Sequence, residues 1–112
     1  MAGYLYLFIG GRDVERTEAE AAENMQAWVA WMGDLREAGV WVGGHPLEPN
    51  GKTIAGVDKN VTDGPFAETK ELVGGFIQVQ TDSMDAAVEH AKNCPIYPSG
   101  GRVEIRPIQE KN

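Results

Sequence analysis

The sequence predicts one α+β domain of strand, helix, strand, strand, helix, strand order, and three observations carry that prediction. Four segments are apolar or alternate in polarity as strands do, two segments repeat apolar residues at helical spacing, and glycine, proline and aspartate punctuate the junctions. At 112 residues the chain fits a single domain over 1–112, with no repeat or low-complexity segment to divide it.

Residues 4–9, YLYLFI, are aromatic and aliphatic and close at Gly10-Gly11, which predicts a buried first strand. Thr17 followed by Glu20 matches a capping box and predicts a helix start. Met25, Trp28, Val29, Met32 and Leu35 then recur at helical spacing, with Trp31 at the edge of the stripe. Gly39 suits a left-handed stop. Residues 40–42 predict a short second strand running into His45-Pro46. The stretch 46–73 differs in character, because its prolines and glycines interrupt two short β-prone pieces, 53–55 and 60–62, joined by a turn at Asp58-Lys59. It predicts an inserted hairpin. Residues 76–80 alternate as a strand, Asp82 or Ser83 caps a second helix carrying Met84, Ala87, Val88 and Ala91, and 102–106 alternate as the last strand. The order is that of a ferredoxin-like βαββαβ sandwich.

Two helices cover one face of a four-stranded sheet, and a period of two sorts strand residues between the faces. Placing the aliphatic set (Leu5, Leu7, Ile9, Val40, Val42, Ile77, Val79, Val103, Ile105) against the helices leaves an aromatic and polar face. That face would hold Tyr4, Tyr6, Phe8, Trp41, His45, Phe76, Gln78, Gln80, Arg102, Glu104 and Arg106. An apolar patch of that size calls for a cover, and pairing with a second copy through the sheet face supplies one. A pocket at such an interface predicts Tyr6, Phe8, Trp41, Phe76 and Gln78 as substrate-binding residues, with Glu104, Arg106 and His45 as candidates for proton transfer.

Ten basic against 17 acidic residues give a net charge of −7, which opposes a polyanion and argues against nucleic acid or an anionic membrane as partner. A neutral small molecule or a basic protein fits better. One cysteine excludes an internal disulfide, and no leader segment or apolar run of spanning length is recognisable, so a cytoplasmic location is expected. There is no Walker loop, dinucleotide fingerprint or Ser-His-Asp constellation, and no cofactor is expected. His90 and Cys94, four apart, are two ligands short of a zinc site, so no metal is expected.

The segment 63–71, DGPFAETKE, resembles the signature of the DGPF subgroup of the YCII-related family. Gly43-Gly44 with Leu47 and Pro49, Gly74-Gly75-Phe76, Cys94-Pro95 and the closing 103–107 extend the resemblance over most of the chain. It implies ferredoxin-like subunits assembled as a dimeric α/β barrel, and a protein that binds or transforms a small, in some relatives aromatic, metabolite. The His and Asp pair proposed as catalytic in shorter members has its His on the first helix, where this chain has none. The subgroup's association with alternative sigma factors implies the other class of function, a non-catalytic module docking a basic protein partner. Read physically, Asp63-Gly64-Pro65 is a turn in which Asp63 bonds its own backbone two residues on. The alternative is that the turn holds Asp63, Glu68, Lys70 and Glu71 at a pocket mouth, with Asp63 as a catalytic group and Glu68 and Lys70 on the substrate.

Overall fold

The computed structural model describes residues 1–11, 14–64 and 71–110. Among the described residues the elements run β1 (Ala2–Ile9), α1 (Glu18–Glu37), β2 (Trp41–Pro46), β3 (Lys52–Ala55), β4 (Asn60–Asp63), β5 (Val73–Thr81), α2 (Met84–Ala91), a 3-10 turn (Tyr97–Ser99) and β6 (Arg102–Pro107). Four strands form an antiparallel sheet in the order β2-β5-β1-β6, and β3-β4 pair only with each other. This is a mixed α+β fold with the strand order of a ferredoxin-like sheet, and the two-stranded unit is the expected inserted hairpin.

The local signals formed as the sequence predicts. Thr17 and Glu20 complete the capping box. At the other end of α1 the Gly39 N–H reaches Arg36 O, the Val40 N–H reaches Leu35 O, and Gly39 takes a φ of +77°; those paired bonds need the left-handed residue that glycine supplies. Ser83 caps α2 by accepting from the Ala86 N–H.

The faces of β1 are the reverse of the expected ones. Tyr4, Tyr6 and Phe8 are buried beneath the helices with Ile77 and Val79, while Leu5 and Leu7 lie on the open side. Tyr6 donates to Ala87 O at 2.6 Å and its ring lies 6.1 Å from that of Trp31. Its register partners, Ile77 on β5 and Ile105 on β6, belong to the same helix-facing layer. Trp41, whose partner is Val79, also packs on the core, and Val42 turns outward across an irregularity in the β2-β5 ladder. The rings won because the helices present matching surfaces: Trp31 stacks on Tyr6, and small Ala87 and Ala91 let the α2 backbone come within reach of its hydroxyl. Trp31, expected at the edge of the α1 stripe, is its most buried aromatic, whereas Met25 and Val29 are 65% and 56% exposed.

Three aromatic donors fasten α2. Besides Tyr6, Trp31 Nε1 donates to His90 O at 3.0 Å and the Tyr97 hydroxyl to Ala91 O at 2.6 Å. The last carbonyls of a helix lack intrahelical partners, and those of His90 and Ala91 gain side-chain donors beside the backbone N–H groups of Asn93 and Cys94, while the Tyr6 bond reaches the mid-helix carbonyl of Ala87.

Candidate functional site: a cleft between the first helix and the sheet

Over its 20 residues α1 buries only Trp31 and Leu35 completely. Its first half stands off the sheet, and a cleft of about 550 Å³ opens beneath it. That volume falls in the range of small-molecule sites. Phe8, Trp28, Met32 and Trp41 wall it, with Met25 and Ala21 overhanging from α1. The aromatic wall is rigid by packing: Phe8 meets Trp28 edge-to-face at 5.1 Å and Trp31 at 5.9 Å, and the two tryptophans cross at 5.8 Å. Offset and edge-to-face arrangements of this kind are the favoured ones for rings. Arg36 sits over the Trp41 ring at 4.3 Å and fixes it by a cation–π contact.

The opposite rim is backbone-rich. It comes from residues 44–46 of β2 and 74–77 of β5, where Gly44 has no room for a side chain: an added Cβ would stand 2.4 Å from Phe76 O and under 3 Å from Ile77. Polar groups are few and local. Arg16 and Asn24 stand at the α1 side, Ser99 on the 3-10 turn beyond, and His45 on the rim. Arg16 donates to Ser99 Oγ. His45 is exposed, with its ring edge-to-face against Phe76 at 6.0 Å.

The candidate residues named from sequence divide into four groups. Phe8, Trp41, His45 and Phe76 line the cleft, though Phe8 and Trp41 do so from the helix side of the sheet and not from the open face expected for them. Tyr6 is 0% exposed and sealed between β1 and α2, so its part is packing and docking of the helix, not ligand contact. Gln78, Glu104 and Arg106 lie on the open face in two rows across the sheet, Glu104-Leu7-Phe76-His45 and Arg106-Leu5-Gln78-Gly43. Arg106 Nη1 is 3.7 Å from Glu104 Oε2, and both are exposed. They sit on β6 at one edge of the sheet and His45 on β2 at the other, roughly 14 Å away at about 4.8 Å per strand, so one chain does not gather them into one constellation.

Asp63 is the fourth case. It ends β4, pairs in register with Lys52 and makes an ion pair with that lysine, with its side chain 92% exposed. The expected bond from Asp63 to its own turn would fall at residue 65, outside the described residues; on the described side the Gly64 N–H donates to Gly51 O and the Thr53 hydroxyl to Gly64 O. Glu68 and Lys70 lie outside the described residues, and Glu71 is engaged by Arg102, which holds its carboxyl below the usual range.

Sequence reasoning missed Arg16, Asn24 and Ser99, and read Met25, Trp28 and Met32 as core. Arg16 carried a usable signal: a cation directly before a helix N-cap opposes the macrodipole, a misfit of the kind that marks functional positions. Among the described residues no three His, Cys, Asp or Glu side chains group as a metal site, and no helix is long and apolar enough to cross a membrane. Cys94 is buried, and burial pushes its thiol up to about 12.

Fold and cleft together define a small α+β domain with a preformed, aromatic-walled helix–sheet site. Residues 5–112 match the YCII-related domain, and the chain belongs to that family. It is 45% identical over 49 residues to an uncharacterized protein of Rhizobium meliloti (strain 1021), an alignment covering 43% of this chain and 40% of that protein. The chain thus spans well under half of that relative's length. Among solved structures it resembles 5-chloro-2-hydroxyhydroquinone dehydrochlorinase (TftG) from Burkholderia phenoliruptrix AC1100, in complex with 2,5-dihydroxybenzoquinone. The TM-score is 0.52 at 16% identity, over 99% of this chain and 96% of that one. At that identity the likeness is one of fold.

Proposed function

We propose that this protein binds a small planar metabolite in the cleft between α1 and the sheet, and that the DGPF subgroup is its place within the family. The observation that carries the reading is the cleft itself: about 550 Å³, walled by ordered aromatic rings and by Met32, with a few polar groups at its ends. Rings of this kind gain most from a flat partner that stacks or meets them edge-on. In this reading His45, on the edge strand β2 with its ring against Phe76 of the open-face row, is the candidate for proton exchange with a ligand that reaches from the cleft past that edge. The planar quinone in complex with the structurally similar dehydrochlorinase supports the choice of ligand shape.

The working unit in this proposal is a pair of chains joined through the open sheet face, closing a dimeric α/β barrel. The surface area supports it. The chain exposes 7947 Å², whereas a compact monomer of 12.2 kDa exposes about 6,100 Å². The excess, about 1,900 Å² per chain, falls within the roughly 1,000–2,500 Å² that each partner contributes to an obligate homodimer interface. Leu5, Leu7 and Phe76 on the open face and Ile54, Val57 and Val61 on the hairpin contribute apolar area to it.

Tryptophan fluorescence tests the ligand site, because two of the three tryptophans, Trp28 and Trp41, line the cleft. Titration with 2,5-dihydroxybenzoquinone and with naphthalene and phenol derivatives is expected to quench saturably, and Ala21→Phe, which adds a ring from an exposed cleft position, to change the affinity. A blank across the series, with a basic protein co-purifying, would favour the protein-docking module instead.

A further inference from the structure

We infer that the ligand is an anion, a planar aromatic carboxylate whose carboxyl group sits on Arg16. The inference rests on the cleft being a ligand site and names the chemistry that site selects. Arg16 is half-buried and lines the cleft, and among the described lining residues there is no aspartate or glutamate. In a chain with 17 acidic residues against 10 basic ones, a cleft that holds a guanidinium and excludes carboxylates has a local charge opposite to that of the whole molecule.

The bonding of Arg16 points the same way. Ser99 Oγ, a neutral acceptor, takes one of its N–H donors and orients the fork without neutralising it. Glu20, in the first turn of α1, is committed to the Thr17 N–H at 2.9 Å in the capping box and is exposed outside the cleft; its carboxyl is lowered mainly by those Thr17 bonds, with the Arg16 charge a smaller contribution, so it offsets that charge only in part and from the solvent side. Arg16 also stands directly before the N-cap of α1, so its charge adds to the positive end of the helix dipole where a cation alone is unfavourable. An anion placed on Arg16 relieves that repulsion and gains a charge-assisted bond, and a carboxylate matches the planar fork best. The aromatic wall formed by Phe8 and Trp28 belongs to the same cleft, so one molecule with a ring and a carboxylate satisfies both ends.

The test compares 1-naphthoate with 1-naphthamide, which share a ring and differ in charge, by calorimetric titration at low and moderate salt. The wild type is expected to bind naphthoate roughly tenfold or more tighter than naphthamide, with the preference shrinking as salt rises. Arg16→Gln should abolish the preference, with naphthoate affinity falling to that of naphthamide; Arg16→Lys should retain part of it, and Ser99→Ala, which keeps the charge, most of it. Equal binding of the two probes by the wild type, or a preference that survives in a folded Arg16→Gln protein, overturns the anion inference while leaving the cleft as an aromatic site. Binding of neither probe overturns the cleft reading and the inference together.

Discussion

Tyr6 joins burial to hydrogen bonding. With its ring sealed under the helices and its hydroxyl on Ala87 O, burial pushes its phenol up to about 12, with Tyr97 and Cys94 adding smaller effects in the same direction. Cys94 is raised to about 12 as well, from an ordinary value of 9.0. In the unfolded chain the thiol ionises near 9.0 and the phenol near 10.0, so there the unfolded state binds fewer protons than the folded one and stability falls as pH rises. The stabilisation is complete below about pH 9 and is lost progressively up to about pH 12. Urea midpoints measured from pH 8 to 11.5 should therefore decline, and Tyr6→Phe should flatten part of that decline while lowering stability by about 1 kcal/mol at neutral pH through the lost bond. Asp63 gives the opposite expectation. Its partner is an exposed lysine and its side chain is itself exposed, so Asp63→Ala should move the unfolding midpoint by no more than about 0.5 kcal/mol equivalent. A larger loss would support the turn-capping role that the motif suggested.

At the scale of elements, β2 reaches the cleft only because Gly44 lets its backbone close on β5. An alanine there would meet Phe76 O at 2.4 Å and Ile77 Cα at 2.9 Å, backbone atoms that cannot yield without moving the strand. Gly44→Ala is expected to destabilise by about 1–3 kcal/mol and to weaken ligand binding, whereas Gly43→Ala, where nothing stands within 4 Å, should fold normally; thermal denaturation of the two variants decides. The same scale explains what was legible in sequence. Helix caps, the hairpin and the alternating strands carry local signals, and each formed where those signals stood. β1 does not, because YLYLFI is apolar on both faces and no polar residue marks the water side. Its orientation is decided by what it meets, and the two tryptophans of α1 with the small face of α2 select rings over aliphatics. The cleft was illegible for a related reason. The apolar spacing of Met25, Trp28 and Met32 reads as core, and nothing local records that the first half of α1 stands away from the sheet.

At the scale of the molecule, the chain is a plate of 49 × 46 × 18 Å with a radius of gyration of 15.8 Å, against roughly 13 Å for a compact domain of its length. The hairpin contributes to that spread: β3 and β4 pair only with each other, and Val57 at their turn is 97% exposed. A two-stranded ribbon is marginal alone, which together with the open sheet face favours a second copy. Sedimentation at micromolar concentration is expected to give a dimer, and Leu7→Arg, at the centre of the open face, to yield monomer; a monomeric wild type would contradict the assembly without touching the cleft. The ligand is proposed to bind between α1 and the sheet rather than on the open face. A crystal structure with 1-naphthoate bound tests it most directly. The expected density has the ring against Phe8 and Trp28 with the carboxylate on Arg16; a ring lodged on the open face against Leu7 and Phe76, with the helix–sheet cleft empty, would overturn the cleft as the binding site.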